Sequence, residues 1–250
     1  MDSRFRGNER SQIVTWSIVA RDPDTRQFGI AVATKNFAVG CRVPHFAPKL
    51  GAVATQALLN PFYGTKGTAM LRAGKLPADI LAALVAEDEG RDQRQVHMMD
   101  AAGHSAAHTG KACVDWCGHT IRQGFSVAGN MLAGEAVIME TAKAYEANAA
   151  LPFARRLIVA MKAGEAAGGD KRGKQSAALM IQGNEEWADL DLRVDDHVDP
   201  LAELERLEKV SRERWVHFSN YLPSAKNPHG ELNRAVIDAG IAAALAAEKP

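Results

Sequence analysis

Three short segments near the start of the chain constrain its fold more than any other feature. Residues 14–20, 28–34 and 51–56 consist mainly of small and β-branched residues with little polar alternation. Such segments are typical of strands that are buried on both faces. Turn-forming residues at 22–25 predict that the first two strands pair as an antiparallel hairpin. A sheet that is buried on both faces needs a cover on each side, and helices are the expected cover.

The rest of the chain predicts helices and short strands in an irregular order. Apolar spacing predicts helices at residues 63–73, 77–87, 136–148, 152–165, 200–214 and 231–248. Short strands are predicted at 93–99, 104–109, 117–122, 125–129, 175–181 and 190–194. This order is not a regular βαβ alternation, so it indicates antiparallel or mixed sheets between helix layers. We expect one domain over residues 14–250, preceded by a polar, disordered extension at 1–13.

Composition and charge exclude several classes of function. Thirty Lys and Arg residues balance thirty Asp and Glu residues, so nothing attracts nucleic acid over the whole surface. The longest apolar stretches are far shorter than the roughly 20 residues that span a bilayer, and we expect no membrane partner. The polar N-terminus does not resemble a signal peptide, and the three cysteines fit a reducing compartment. We therefore expect a cytoplasmic protein, with no cofactor and no metal site at Cys113 and Cys117.

Glycine and polar residues cluster where predicted strands end, without a standard catalytic motif. The sequence contains no Walker loop, no dinucleotide-binding GxGxxG, no HExxH and no GxSxG. In these clusters the chain resembles the family named domain of unknown function 1028. The resemblance is carried by residues 15–23, 29–35, 38–40 and 51–57, by Asn60-Pro-x-Tyr-Gly64, by Gly124-Phe-Ser-Val-x-Gly-Asn130, by Gly168-Gly-Asp-x-Arg-Gly-x-Gln-Ser-Ala-Ala-Leu179 and by residues 194–200.

The resemblance implies a fold and a reaction. The family is grouped by fold with the N-terminal nucleophile (Ntn) hydrolases, which implies an α+β, four-layer αββα sandwich. In Ntn hydrolases the first residue of the mature chain attacks an amide carbonyl, and its own α-amino group is the base. The resemblance therefore implies an amidohydrolase of a small amide or peptide-like substrate, with Thr15 as the nucleophile. A threonine hydroxyl needs such a base, and an α-amino group with a pKa of about 8 can serve, whereas an amide nitrogen cannot.

Thr15 is internal in the chain as written, so this chemistry requires the removal of the residues before it. One route is autocatalytic cleavage of the bond between Val14 and Thr15. The other is a translation start at position 14 from a GTG codon, followed by removal of the initiator methionine. We favour the second route. Without either, Thr15 is an ordinary β-branched strand residue.

Further candidate catalytic residues surround the predicted strand ends. Lys35 ends the second strand and could stabilise developing negative charge. Asn60 and Asn130 follow strands and are candidate oxyanion donors, because a neutral amide can stabilise a tetrahedral intermediate. The structural alternatives are a solvated lysine and asparagines that form turns.

A second group of candidates is predicted to bind the substrate. Ser17 shares a strand face with Thr15, and Gln56 ends the third predicted strand. The remaining four lie in a glycine-rich segment, where Asp170 and Arg172 could pair and orient a substrate carboxylate. These four are Asp170, Arg172, Gln175 and Ser176. The alternative is a loop that is held by its own hydrogen bonds.

Two other classes of function stay open at this point. One is a non-catalytic ligand-binding or scaffold protein that retains the fold, because fold does not determine function. The other is a metal-dependent hydrolase that uses His197 and the two aspartates before it, although no second cluster has matching spacing. We also expect a homodimer, because Ntn-like folds commonly pair.

Overall fold

The structure, a computed structural model, describes residues 15–247, so the extension predicted at 1–13 lies outside the described residues. Within them the chain is a mixed α/β protein with two antiparallel sheets and seven α-helices. The strands are β1 Thr15–Arg21, β2 Phe28–Thr34, β3 Pro44–Ala47, β4 Gly51–Ala57, β5 Arg94–Asp100, β6 Ser105–Thr109, β7 Gly118–Arg122, β8 Phe125–Asn130, β9 Ser176–Gln182 and β10 Leu190–Val194. The helices are α1 Pro61–Arg72, α2 Pro77–Glu87, α3 Ala136–Ala147, α4 Phe153–Ala166, α5 Pro200–Glu213, α6 Trp215–Phe218 and α7 Arg234–Ala247.

The larger sheet places the first described strand at its centre. Its strand order is β10-β9-β2-β1-β8-β7, and the smaller sheet has the order β3-β4-β5-β6. The predicted hairpin of the first two strands is confirmed, because β1 pairs antiparallel with β2. Thr15 lies opposite Thr34 on β2 and opposite Asn130 on β8. Thr34 in turn lies opposite Ser176 on β9, so these four residues form one row across the end of the sheet.

Alternation along β1 divides its side chains between two hydrophobic clusters, as the period of two in a strand requires. Trp16 and Ile18 pack with Leu157 of α4 on the outer face of the six-stranded sheet. Val19 packs with Ala54 of β4 and other residues of the four-stranded sheet. The two sheets therefore face each other across a mostly apolar interior.

Helices cover the outer faces of both sheets. Helices α3, α4 and α5 contact strands of the six-stranded sheet, and α1 and α2 contact strands of the four-stranded sheet. On the second sheet, Val53 and Met98 pack with Leu84 of α2. Burial on both faces explains why the sequences of β1, β2 and β4 show so little polar alternation.

The structure differs from the sequence prediction in two local features. Residues 44–47, expected to belong to a loop, form β3 at the edge of the smaller sheet. Proline is tolerated as the first residue of an edge strand, because no ladder hydrogen bond is required from its nitrogen. The short helix α6 follows α5 almost directly and was not predicted. In the described part of the chain, no helix has the length and apolar character needed to cross a membrane.

Candidate functional site

Thr15 lies at the centre of the row of residues that closes one end of the six-stranded sheet. It is fully buried, and its Oγ1 lies 3.4 Å from Oγ1 of Thr34 on the neighbouring strand. Its carbonyl oxygen accepts long hydrogen bonds from Nδ2 of Asn130, at 3.3 Å, and from Nε2 of Gln56, at 3.4 Å. Side-chain amides from both sheets therefore hold the backbone of the candidate nucleophile.

Gln95 on β5 organises these two amides. Its Oε1 accepts from Nε2 of Gln56 at 2.8 Å and from Nδ2 of Asn130 at 3.0 Å. Its Nε2 lies within hydrogen-bond distance of the carbonyl oxygens of Gly118, at 3.0 Å, and Gly129, at 2.8 Å. Gln95 is completely buried. Because both ends of its amide have partners, Gln95 fixes the position of Gln56 and Asn130 relative to β8 and β1.

A second buried polar group lies next to Gln56 between the two sheets. Ser17 donates a 2.7 Å hydrogen bond to Oε1 of Gln56, and its Oγ lies 2.9 Å from Nε2 of His97. The other ring nitrogen of His97 lies 2.8 Å from Oγ of Ser126. Burial lowers the pKa of His97 from 6.5 to about 3, with a smaller effect from His119. His97 is therefore a neutral imidazole that joins β1, β5 and β8.

The carboxylate of Asp170 holds the start of the glycine-rich loop against the end of β2. It accepts a 2.8 Å hydrogen bond from the backbone N–H of Lys35. It also accepts from the backbone N–H, Nε and Nη2 of Arg172, at 2.9, 3.2 and 3.0 Å. The predicted pair of Asp170 and Arg172 is present, and the side chain of Asp170 is fully buried. The carboxylate therefore fixes the backbone of Lys35 and the start of the glycine-rich loop relative to each other.

Lys35, Gln175 and Ser176 tie the same loop to β2. Nζ of Lys35 donates to the carbonyl of Lys174 at 3.1 Å. The backbone N–H of Gln175 donates to the carbonyl of Thr34 at 2.9 Å, and its side chain donates to Asp196. Oγ of Ser176 donates to the carbonyl of Asn36 at 2.5 Å. The structural alternative to substrate binding was a loop held by its own hydrogen bonds, and these bonds are of that kind.

Asn60 contacts a different set of residues. Its Oδ1 accepts from the backbone N–H of Phe62 at 3.0 Å and so caps α1. Its Nδ2 donates to Asp88 at 3.1 Å, beside the ion pair of Asp88 with Arg94. Although burial raises the pKa of Asp88, hydrogen bonds from Arg94 and Asn60 hold it well below its usual range. Both ends of the Asn60 amide therefore have protein partners, one at the start of α1 and one after α2, and the oxyanion role stays a prediction.

The structure brings Thr15, Ser17, Gln56 and Asn130 into one hydrogen-bonded region, and Asp170 joins it through the end of β2. Sequence reasoning did not single out Gln95 and His97. The available signal was the pattern of β5, in which these polar residues alternate with Val96 and Met98. That pattern would place two large polar side chains on one face of a buried strand, where they require partners.

The metal alternative depends on His197 and the two aspartates before it. No group of three or more His, Cys, Asp and Glu side chains there is arranged to hold a metal ion. Nδ1 of His197 accepts a 3.0 Å hydrogen bond from the backbone N–H of Asp199, so this nitrogen stabilises the turn that precedes α5.

Comparison with known proteins identifies the family. The family of unknown function DUF1028 matches residues 15–204. The chain belongs to this family. A crystal structure of a Silicibacter pomeroyi protein, also described as DUF1028, is 31% identical and superposes with a TM-score of 0.82. The match covers 88% of this chain and 96% of the Silicibacter pomeroyi chain. No curated protein matches the chain. The DUF1028 match begins at Thr15, the first residue of β1.

Proposed function

We propose that this DUF1028 protein is an Ntn-type amidohydrolase of a small amide or peptide-like substrate, active when Thr15 is the first residue of the chain. The observation that carries the proposal is the position of Thr15. It is the first residue of the family match and of a central strand, and amides from both sheets bind its carbonyl. Two facing sheets with helices on their outer faces are compatible with the four-layer Ntn sandwich.

In the proposed reaction the α-amino group of Thr15 removes the proton from its own Oγ1. The oxygen then attacks the substrate carbonyl carbon, and the proton passes to the departing amine. Water subsequently hydrolyses the ester that links the acyl group to Thr15, which restores the hydroxyl. The amide bond is thereby exchanged for a carboxylate and a free amine, and no other reactant than water is consumed.

The residues around Thr15 have supporting roles in this proposal. Asn130 and Gln56 hold the carbonyl of Thr15, so the hydroxyl and amine keep a fixed orientation. Lys35 places a cation after the strand that pairs with β1, where it can stabilise developing negative charge. Thr15 is fully buried in the full-length chain, so the proposal requires this end of the sheet to open when the chain starts at Thr15.

The test compares two chains that differ only at their start. One begins at Thr15, with its N-terminus verified by mass spectrometry, and the other retains residues 1–14. Both are screened against a panel of primary and secondary amides. We expect turnover only by the chain that begins at Thr15, reduced in Thr15→Ser and lost in Thr15→Ala. Thr25→Ala, in the exposed turn between β1 and β2, is the matched control and should keep full activity. Activity that survives Thr15→Ala refutes the mechanism.

Burial of an internal Thr15 favours one alternative, a non-catalytic binding protein of the same fold. That alternative predicts no turnover by either chain, with saturable binding of a small ligand by both. The same screen, followed by calorimetry on the amides that are not hydrolysed, separates the two functions.

A further inference from the structure

A cavity of about 850 Å³ opens at the end of the six-stranded sheet that is remote from Thr15. The turn between β1 and β2, the start of α4, the turn between β9 and β10, and helices α5 and α6 form its walls. Thr15 begins β1 and Asp22 follows its other end, so the strand separates the two regions by roughly 20 Å. The volume lies within the range of small-molecule sites. The cavity is therefore a candidate ligand site separate from the proposed nucleophile.

Two partly exposed tryptophans provide an apolar surface in this cavity. Trp187 and Trp215 line it and remain 47% and 45% exposed. They come from different parts of the chain, the turn between β9 and β10 and the start of α6. Phe153 at the start of α4 lines the cavity as well. Large aromatic side chains that stay accessible within a concave site can bind the apolar part of a ligand.

Arg156 supplies a fixed positive charge. Its guanidinium lies 3.7 Å above the ring of Tyr145, and its Nε donates a 2.7 Å hydrogen bond to the Tyr145 carbonyl. Within the described residues Arg156 forms no ion pair, so its two terminal nitrogens remain available to a ligand. A guanidinium anchored against an aromatic ring in this way presents parallel N–H groups that match a carboxylate.

Asp22 supplies a negative charge in the same neighbourhood. Asp22 and Arg156 both lie close enough to Tyr145 to act on its hydroxyl. Burial raises the pKa of Tyr145 to about 12, the charge of Arg156 lowers this pKa, and the charge of Asp22 raises it. Oδ1 of Asp22 accepts from the backbone N–H groups of Asp24 and Thr25. Asp22 and Arg156 make no ion pair with each other in the part of the chain that the structure describes. Each is therefore available to a ligand group of opposite charge.

The other charged groups of the cavity have protein partners or lie at its rim. Glu208 is buried and paired with Arg155 and Arg212. Asp189 accepts a 2.7 Å hydrogen bond from Gln27. Asp24 is exposed in the turn between β1 and β2. The groups best placed for a ligand are therefore one guanidinium, one carboxylate and two indoles.

We propose that this cavity binds a zwitterion with a large apolar side chain, either a free amino acid or a short peptide. Arg156 binds its carboxylate, Asp22 binds its ammonium group, and Trp187 and Trp215 contact the apolar side chain. This inference is independent of the proposed amidohydrolase activity, because the cavity does not include Thr15 among its described lining residues.

The test is isothermal titration of the full-length protein with L-phenylalanine, L-phenylalanyl-L-phenylalanine, phenethylamine and 3-phenylpropionate. The last two each lack one of the two charges. We expect the amino acid or the dipeptide to bind at least about tenfold more tightly than either single-charge analogue. The comparison of the first two identifies which zwitterion fits the cavity. Equal binding of all four probes, or no saturable binding of any, overturns the proposal.

Charge-removing variants locate the site. Arg156→Gln should weaken phenylalanine binding at least about tenfold without changing phenethylamine binding, because only the carboxylate contact is lost. Asp22→Asn keeps the turn acceptor and should weaken phenylalanine and phenethylamine but not 3-phenylpropionate. Arg206→Gln, with the same charge change on the exposed surface of α5, is the matched control. Binding that is unaffected by both cavity variants overturns the assignment, and thermal unfolding of each variant verifies that it is folded.

Discussion

Protonation of His97 should couple the stability of the protein to pH. Its imidazole is fully buried between Ser17 and Ser126, and burial lowers its pKa from 6.5 to about 3. Between those two pH values the unfolded chain binds a proton that the folded protein does not bind. The free energy of unfolding therefore falls as the pH falls, and the contribution of neutral His97 is complete only above about pH 6.5.

The magnitude follows from the size of the shift. Each pH unit between the unfolded and folded pKa values changes the free energy of unfolding by about 1.4 kcal/mol. Because the unfolded histidine is already half protonated at pH 6.5, acidification from pH 6.5 to about pH 4.5 should cost the wild-type protein about 2.3 kcal/mol through His97 alone. A His97→Gln variant loses the hydrogen bonds at neutral pH, which costs roughly 1–3 kcal/mol. It has no proton to bind at this position, so its deficit relative to wild type should nearly vanish by about pH 4.5.

The assay is urea unfolding followed by far-ultraviolet circular dichroism across this pH range. Other titrating groups are common to both proteins and cancel in the difference between wild type and variant. His229→Gln, which changes an exposed histidine in the loop before α7, is the control and should run parallel to wild type. A deficit of His97→Gln that stays constant from pH 6.5 to about pH 4.5 would show that His97 is not held neutral by burial.

Two further substitutions test the packing around the site. Gln95→Leu leaves the amide groups of Gln56 and Asn130 without their shared acceptor, and should lower the free energy of unfolding in urea by about 3–5 kcal/mol. Its control, Gln123→Leu in the exposed β7–β8 turn, should cost less than about 0.5 kcal/mol. Gly64→Ala places a Cβ 2.3 Å from the ring of His45 and should destabilise by about 1–3 kcal/mol. Gly67→Ala, one turn later in α1, meets its nearest atom at 3.4 Å and should be neutral or stabilising by up to about 1 kcal/mol in thermal unfolding. Equal effects within either pair of variants contradict these assignments.

The strands that are buried on both faces could be predicted from sequence because their composition is itself the signal. β2 and α2 have the bounds that were predicted, and β1 pairs with β2 as expected. β3 was missed because a strand of four residues that begins at Pro44 has the composition of a loop. Its assignment depends on pairing with β4, which is a long-range contact that no local pattern encodes.

The candidate site could be predicted in part, from strand ends and from the strand face that Ser17 shares with Thr15. Thr15 was singled out because the resemblance implies a nucleophile there, and Asn130 and Asp170 because Gly and polar residues cluster at predicted strand ends. Gln95 and His97 were missed because their importance depends on which face of β5 points toward the other sheet. Asn60 follows β4 as expected, but its side chain caps α1. An asparagine directly before a proline is as typical of a helix N-terminus as of a binding pocket, so the sequence did not distinguish the two.

The cavity at the other end of the six-stranded sheet could not be predicted from local sequence patterns either. Its walls come from the β1–β2 turn, the start of α4, the β9–β10 turn and α6, which are far apart in sequence. Trp187 and Trp215 are separated by helix α5, and neither neighbourhood has a recognisable motif. Only the fold brings them into one concavity.

The most direct test of the central claim is the dependence of amide hydrolysis on a free α-amino group at Thr15. The chain that starts at Thr15 is compared with the same chain carrying one retained methionine before it, on an amide that the first chain hydrolyses. We expect the retained methionine to abolish turnover while thermal unfolding of the two proteins stays similar, because only the base has been lost. Equal turnover by the two chains would contradict the proposed N-terminal nucleophile.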